Sequence, residues 1–239
     1  MYLSRLILNP KARDVQYAIA NCHRLHQDVM SAFSRAPAGV DAREYFGVLY
    51  RLDVGRQTGG LVLLVQSRVE PDWRELPMSY LIADAGVENP AVKEVSGTYA
   101  NLRPRQILFF RLRANVTRRV GKHSKYGDAK HDETWEGKRV EVWGEERQLA
   151  WLFRKGKAAG FEVLNARVDG REIPDVRSSP QQKAYGRKAG AERRLTFGGV
   201  TFDGVLRVTD ADALRAALVK GIGPAKAYGF GLLSLASAR

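Results

Sequence analysis

A helical stretch set between strands is the feature that most restricts what this chain can fold into. Residues 2–9 are strand-like and stop at Asn9-Pro10. Over 13–35 the apolar spacing changes to three and four: Val15, Ala18, Ile19 and Cys22, then Leu25, Val29, Ala32, Phe33 and Ala36. Asn21 is a good capping residue in the middle of that run, so the pattern fits one helix or two with a break. Pro37-Ala38-Gly39 ends it. Residues 45–54 and 60–69 are two strands, joined by a hairpin loop at 55–59. Residues 71–82 hold at most a short helix, stopped by Pro77, and 105–114 is a further strand. Strand, helix, strand, strand, weak helix, strand is the split βαβ, or ferredoxin-like, order.

The second half repeats that mixture without a visible sequence repeat. Residues 117–139 hold seven lysines and arginines, Arg118 and Arg119 among them, and few apolar residues, so they are expected to be a basic linker. A short strand at 139–143, a helix at 145–159 and a strand at 161–168 follow. Residues 175–192, with Lys183, Arg187 and Lys188, resemble a long basic hairpin tip. Strands at 193–202 and 204–208 precede a helix at 211–220, capped by Asp210 and ended by Gly221. A strand at 229–237 closes the chain. The expected architecture is α+β, two tandem ferredoxin-like domains. One spans 1–116 and carries the histidine helix. The other spans 140–239 and carries the basic hairpin and a glycine-rich loop; 117–139 joins them.

Charge narrows the partner. Lys plus Arg is 39 against 26 Asp plus Glu, a net charge of +13. That excess suits a polyanion, because each cation near a phosphate releases a condensed counterion. A basic protein with no particular partner is the bland alternative. The single cysteine, Cys22, excludes an internal disulfide and a thiolate zinc cluster and fits a reducing cytoplasm. The N-terminal residues lack the apolar core of a secretory signal, and no apolar run approaches the ~20 residues of a membrane span.

Three segments can carry chemistry. Of four histidines, His23 and His26 stand three apart on the helical stretch, so they are neighbours on its surface. Two imidazoles near neutral pKa can divide general base and general acid roles. RNA cleavage needs little more, because the substrate's own 2′-hydroxyl is the nucleophile. Two placements of His26 are open. If the helix is continuous, His26 falls on the apolar stripe with Ile19 and Cys22, where a core histidine is the usual outcome. If it restarts at Asn21, His26 lies at the border of the stripe formed by Leu25, Val29, Ala32 and Ala36.

The second segment, 221–231 (GIGPAKAYGFG), packs four glycines, a proline, a lysine and two aromatics into eleven residues. Successive N–H groups in such a loop, Gly223 included, can form an anion nest, Lys226 adds charge, and Tyr228 and Phe230 offer rings to bases. It is not a phosphate-binding P-loop, which runs strand, loop, helix and needs Gly-Lys followed by Ser or Thr. A ligand-free turn is the alternative. The third segment places Arg111, Arg113, Arg118 and Arg119 within nine residues. Such a row contacts phosphates or forms a solvated strand edge.

Taken in order, these segments resemble the CasE (Cse3) family of CRISPR RNA-processing endoribonucleases. The resemblance rests on the strand ending Asn9-Pro10, the helix with Asn21, His26 and Ser34-Arg35, the Glu70-Pro71-Asp72-Trp73 turn, Arg111-Leu112-Arg113-Ala114-Asn115, and the terminal Gly229-Phe230-Gly231-Leu232-Leu233-Ser234. It implies two ferredoxin-like domains. It implies metal-independent cleavage of CRISPR repeat RNA beside a stem-loop by 2′-hydroxyl attack, without cofactor, leaving 5′-hydroxyl and cyclic or 3′-phosphate ends. It implies retention of the product among the other subunits of a type I-E surveillance complex, with the free protein monomeric and no membrane partner. The family's catalytic histidine falls on His26. A tyrosine often found three residues before it is His23 here, and a lysine found in some members one turn after it is absent, with Ser31 nearby. The family's groove-inserting hairpin falls near Lys183, Arg187 and Lys188, and Ser34 and Arg35 join the RNA-binding set. A non-catalytic RNA-binding subunit and a basic protein-interaction module are the competing functions.

Overall fold

The computed structural model describes residues 1–55, 60–121, 125–126, 129–130, 136–168, 171–187 and 195–238. The first sheet forms from β1 (Tyr2–Leu8), β2 (Leu49–Val54), β3 (Leu61–Ser67) and β4 (Ala91–Glu94), ordered β2-β3-β1-β4 with every pair antiparallel. α1 (Arg13–Ala20), α2 (Cys22–Ser31) and the short α3 (Ala42–Tyr45) fill the connection from β1 to β2. Leu6 and Leu8 of β1, Tyr50 of β2 and Leu63 and Val65 of β3 pack against Val15, Ala18, Leu25 and Val29 of the helices.

The helical run breaks at Asn21, whose backbone is extended (φ −131°, ψ 99°) and whose side chain accepts from the His23 N–H. A side-chain oxygen satisfying a first-turn donor is what lets a helix restart. The restart therefore sets the phase of α2. Cys22, Leu25, Asp28 and Val29 turn inward, and His26 is half-buried at the border of that stripe.

The strand expected at 105–114 to complete this sheet belongs elsewhere. The fourth strand is β4, pairing Tyr2 with Glu94, and a 3-10 turn at Trp73–Glu75, capped by Asp72, is the helical element between β3 and β4. β4 reads AVKE and is half-buried at most, so it carries too little apolar pattern to be seen in sequence.

β5 (Ile107–Ala114), after the short α4 (Ser96–Ala100), opens the second sheet. The chain continues through β6 (Thr117–Arg119), β7 (Lys125–Tyr126), β8 (Ala129–Lys130), β9 (Arg139–Glu141), α5 (Glu145–Ala158), β10 (Phe161–Val163), β11 (Asn165–Val168), β12 (Arg171–Pro174), β13 (Val176–Gly186), β14 (Leu195–Val208), α6 (Ala211–Lys220) and β15 (Leu233–Ser237). The order β10-β14-β5-β15 repeats that of the first sheet, with β13 added beside β14. Leu108, Phe110 and Leu112 of β5 and Phe202 and Leu206 of β14 pack with Leu152 of α5 and Leu214 and Leu218 of α6 in a second core. The fold is thus two ferredoxin-like units in tandem.

Two further expectations change. The described parts of 117–139 are paired rather than free: β6 with β9, β7 with β8. Val120 is buried there, as are Val116 and Val140 at its two ends, apolar anchors in and beside a basic stretch. The two strands expected at 193–202 and 204–208 are one, β14, running through Gly204. A side chain at 204 would run into the backbone at Asp175, so that glycine serves a close approach and not a turn.

The units are joined by buried polar contacts. The Gln66 amide donates to the Leu218 carbonyl at 2.7 Å, and the Tyr99 hydroxyl donates to Gln66 at 2.8 Å. Arg51 of β2 is buried, ion-paired to Asp53 at 2.9 Å, and donates to the Ser234 hydroxyl of β15 at 3.0 Å.

Candidate active site

The three segments converge. His26 projects from α2 with its ring 6.5 Å from that of His23. On its other sides stand Tyr50, near-parallel at 6.5 Å and 17°, and Tyr228 of the glycine-rich loop, edge-on at 6.1 Å. The Tyr50 hydroxyl donates to the Ala227 carbonyl at 2.7 Å, tying β2 to the loop. Burial holds that hydroxyl well above the ordinary tyrosine pKa, so it remains a donor at any working pH.

The loop folds back on itself through the Ile222 N–H, which donates to the Gly231 carbonyl at 2.9 Å. The Gly231 N–H donates to the Arg113 carbonyl at 2.8 Å, joining the loop to β5. Gly229 has φ 82°, and a Cβ there would lie 3.2 Å from the Tyr50 ring. Only glycine fits both conditions.

Arg113 is the cation of this site. Its guanidinium lies 4.8 Å over the Phe230 ring, and its Nε is buried with no hydrogen-bond acceptor among the described residues. Burial lowers its pKa from the ordinary arginine value. A fixed cation with unused donors is suited to a phosphate. His23 Nδ1 is likewise buried without a partner among the described residues.

Arg111, two residues back on the same face, differs. It is ion-paired to Asp203 at 2.5 Å and lies 3.8 Å from Asp53, so its charge is compensated within the protein. The hydrogen bond to Asp203 raises its pKa. Both arginines are expected phosphate contacts, and strand pairing sets Asp203 directly opposite Arg111.

Between the units lies a cleft of about 770 Å³, lined by Tyr50, Arg111, Arg113, Lys183, Tyr228 and others. The end of β13 docks on the start of α2. The Arg187 N–H donates to the Asn21 side chain at 3.3 Å, and Gly186 lies so close to Cys22 that a Cβ would come within 2.7 Å of its sulfur. Asn21 therefore caps the histidine helix and seats the basic hairpin. Lys183 is ion-paired to Glu141 at 3.6 Å and sits 5.5 Å over the exposed Trp143 ring. Lys188 lies outside the described residues.

Ser34 and Arg35 are exposed beyond the end of α2. Arg118 and Arg119 belong to the β6–β9 pair, Arg119 exposed. Gly223 packs on Trp151. Burial, then Arg43, lowers the Lys226 pKa, with Lys155 and Lys220 also acting on it. Phe230 is fully buried and unavailable to a base, and Tyr228 has one neighbour stacked on it already, Phe197 at 4.8 Å.

Sequence reasoning missed Tyr50, hidden in an ordinary strand pattern. It also missed Asp28. That carboxylate is buried on α2, accepts from the Tyr80 hydroxyl at 3.0 Å and pairs with Arg24 at 2.8 Å. Desolvation raises its pKa despite both partners. The Arg24/Asp28 spacing was the one readable sign.

A family model described as CRISPR associated protein matches residues 1–237. The chain is 34% identical over 238 residues to the CRISPR-associated endoribonuclease Cse3 of Thermus thermophilus, covering 99% of this chain and 100% of that one. It is 31% identical over 238 residues to the CRISPR system Cascade subunit CasE of Escherichia coli, covering 99% of each. Among solved structures, that of CRISPR endoribonuclease Cse3 bound to 19 nt RNA is similar with a TM-score of 0.77 at 32% identity, covering 99% of this chain and 100% of that one. The protein with His26 clasped between Tyr50 and the glycine-rich loop belongs to the CasE (Cse3) family of CRISPR-associated proteins.

Proposed function

We propose that this protein is an endoribonuclease that binds a CRISPR repeat stem-loop RNA and cuts it without a metal ion. One observation carries the reading: His26 is held against Tyr50 and Tyr228, both of which line the cleft, with His23 beside it and Arg113 in the same cleft. His26 and His23 share the proton transfers. One takes the proton of the 2′-hydroxyl, whose oxygen forms a bond to the adjacent phosphorus. The bond from phosphorus to the 5′-oxygen breaks, and the other imidazole protonates that oxygen. The products are a 5′-hydroxyl and a cyclic phosphate that can open to a 3′-phosphate. Arg113 offsets the charge that gathers on the phosphorane oxygens. Lys183 and Arg187 hold the stem, with Ser34, Arg35, Arg118, Arg119, Gly223 and Lys226 as outer contacts and Lys188 beyond the described residues. Arg111 acts mainly by orienting the cleft wall. The mature guide RNA stays bound among the subunits of a type I-E complex in the cytoplasm. No helix among the described residues is long and apolar enough to cross a membrane.

His26→Ala should abolish cleavage of a cognate repeat hairpin and leave its Kd within a few-fold. A single 2′-deoxy substitution at the scissile nucleotide should do the same. Undiminished cutting of the deoxy RNA overturns the mechanism, and cleavage lost to EDTA and restored by a divalent ion overturns metal independence. One observation favours a second reading, a non-catalytic RNA-binding subunit: His23 stands where the family often has tyrosine. Tight binding of RNA that stays intact would select it.

A further inference from the structure

β5 sets Ile107, Phe109, Arg111 and Arg113 on one face, at steps of about 7 Å. The alternate residues, Leu108, Phe110, Leu112 and Ala114, are in the core. Arg111 and Arg113 line the cleft. Further down the same face the cleft lining stops, and the side chains there are apolar and open. Phe109 is 49% exposed and Ile107 43%. Phe109 sits on a central strand, directly opposite half-buried Val205 of β14 and exposed Ala236 of β15. A large ring left uncovered in the middle of a sheet is a poor choice for solubility alone. Arg103 and Arg105 are exposed at the rim just before β5, while Arg207, opposite Ile107, is ion-paired to Glu162 at 3.0 Å.

We propose that this face is a second RNA subsite, where an unpaired stretch flanking the stem-loop leaves the cleft along β5 and stacks a base on Phe109. The inference rests on the ribonuclease reading above. An aromatic ring on an inner strand of an open sheet is a general way to hold single-stranded RNA, since every base has a π-face. Continuity selects RNA over a protein. The platform is the direct extension, on one strand and one face, of the row that ends at Arg113. Its cationic rim suits a phosphate backbone. Arg111, compensated by Asp203 and Asp53, marks the passage between the two parts.

The test compares a repeat hairpin with the same hairpin carrying a short unpaired extension on its 5′ or its 3′ side. Wild-type protein should bind one extended RNA more tightly than the bare hairpin. Phe109→Ala should erase that gain, about 5- to 150-fold in Kd for one aromatic–base stack. Phe109→Trp should keep it, and the bare hairpin reports folding of each variant. A wild type that binds the hairpin yet gains nothing from either extension overturns the subsite and leaves the ribonuclease reading standing. A gain that survives Phe109→Ala overturns it too, including the case where that variant instead loses assembly with protein subunits. A wild type that neither binds nor cuts the hairpin overturns the ribonuclease reading, and the subsite with it.

Discussion

Replacing Tyr50 with phenylalanine removes a single oxygen from the join between the two units. The ring is fully buried and stays against His26, so its packing survives the change. What is lost is the 2.7 Å bond from the hydroxyl to the Ala227 carbonyl, the tie between β2 and the glycine-rich loop. A neutral hydrogen bond contributes about 1 kcal/mol net, and a buried partner left unsatisfied costs about 1–3 kcal/mol. Ala227 is half-buried, which argues for the lower part of that range, about 1–2 kcal/mol. For a chain of this length that is a fall in Tm of about 2–8 °C. Tyr50→Ala also removes the ring on which Gly229 packs, and should cost about 3–5 kcal/mol. The functional consequence follows from adjacency. Ala227 precedes Tyr228, the wall on the far side of His26. Misplacing a catalytic group by an ångström can cost about 100-fold in rate. Single-turnover cleavage by Tyr50→Phe should therefore slow about 10- to 100-fold, while hairpin Kd moves only a few-fold. Thermal melts and single-turnover cleavage measure the two effects separately. A Tyr50→Phe protein that melts and cuts like the wild type refutes the tie; one that melts lower but cuts normally refutes its coupling to chemistry.

Arg113→Met should weaken hairpin binding and flatten the slope of log K against log salt by about one unit, whereas Arg111→Met should leave that slope nearly unchanged and lower Tm by removing the partner of Asp203. Equal salt slopes for the two variants would contradict the assignment of Arg113 as the phosphate contact. Burial pushes the Cys22 thiol up to about 11, so alkylation of the folded protein at pH 8 should be far slower than that of the urea-unfolded chain. The folded pKa lies above the unfolded one, so the associated stability is complete below the ordinary thiol pKa and declines as pH rises toward about 11. Fast native labelling at neutral pH would contradict that burial.

The ends of helices were legible because their causes are local. Asn21 restarting a helix, and Asp210 and Gly221 bounding another, each depend on atoms within a few residues. The same locality settled the two placements of His26, once the restart at Asn21 was found to be the real phase. Charge alone did not separate Arg111 from Arg113. They share a strand, a face and a residue type, and differ in what β14 and β2 bring beside them.

Readable along the chain alone were the opening strand, the helices α1, α2, α5 and α6, the pairing of His23 with His26 on one helix surface, and the cationic character of the whole. Those follow from periodicity, capping and charge. Tertiary structure decided which sheet owns 107–114, because an alternating strand satisfies the pattern of either sheet and only long-range pairing with β14 and β15 chooses between them. It also decided what surrounds His26. Tyr50 and Tyr228 are 178 positions apart in the sequence, and they meet at one imidazole only because two separately cored units dock with a glycine-rich loop pressed between them.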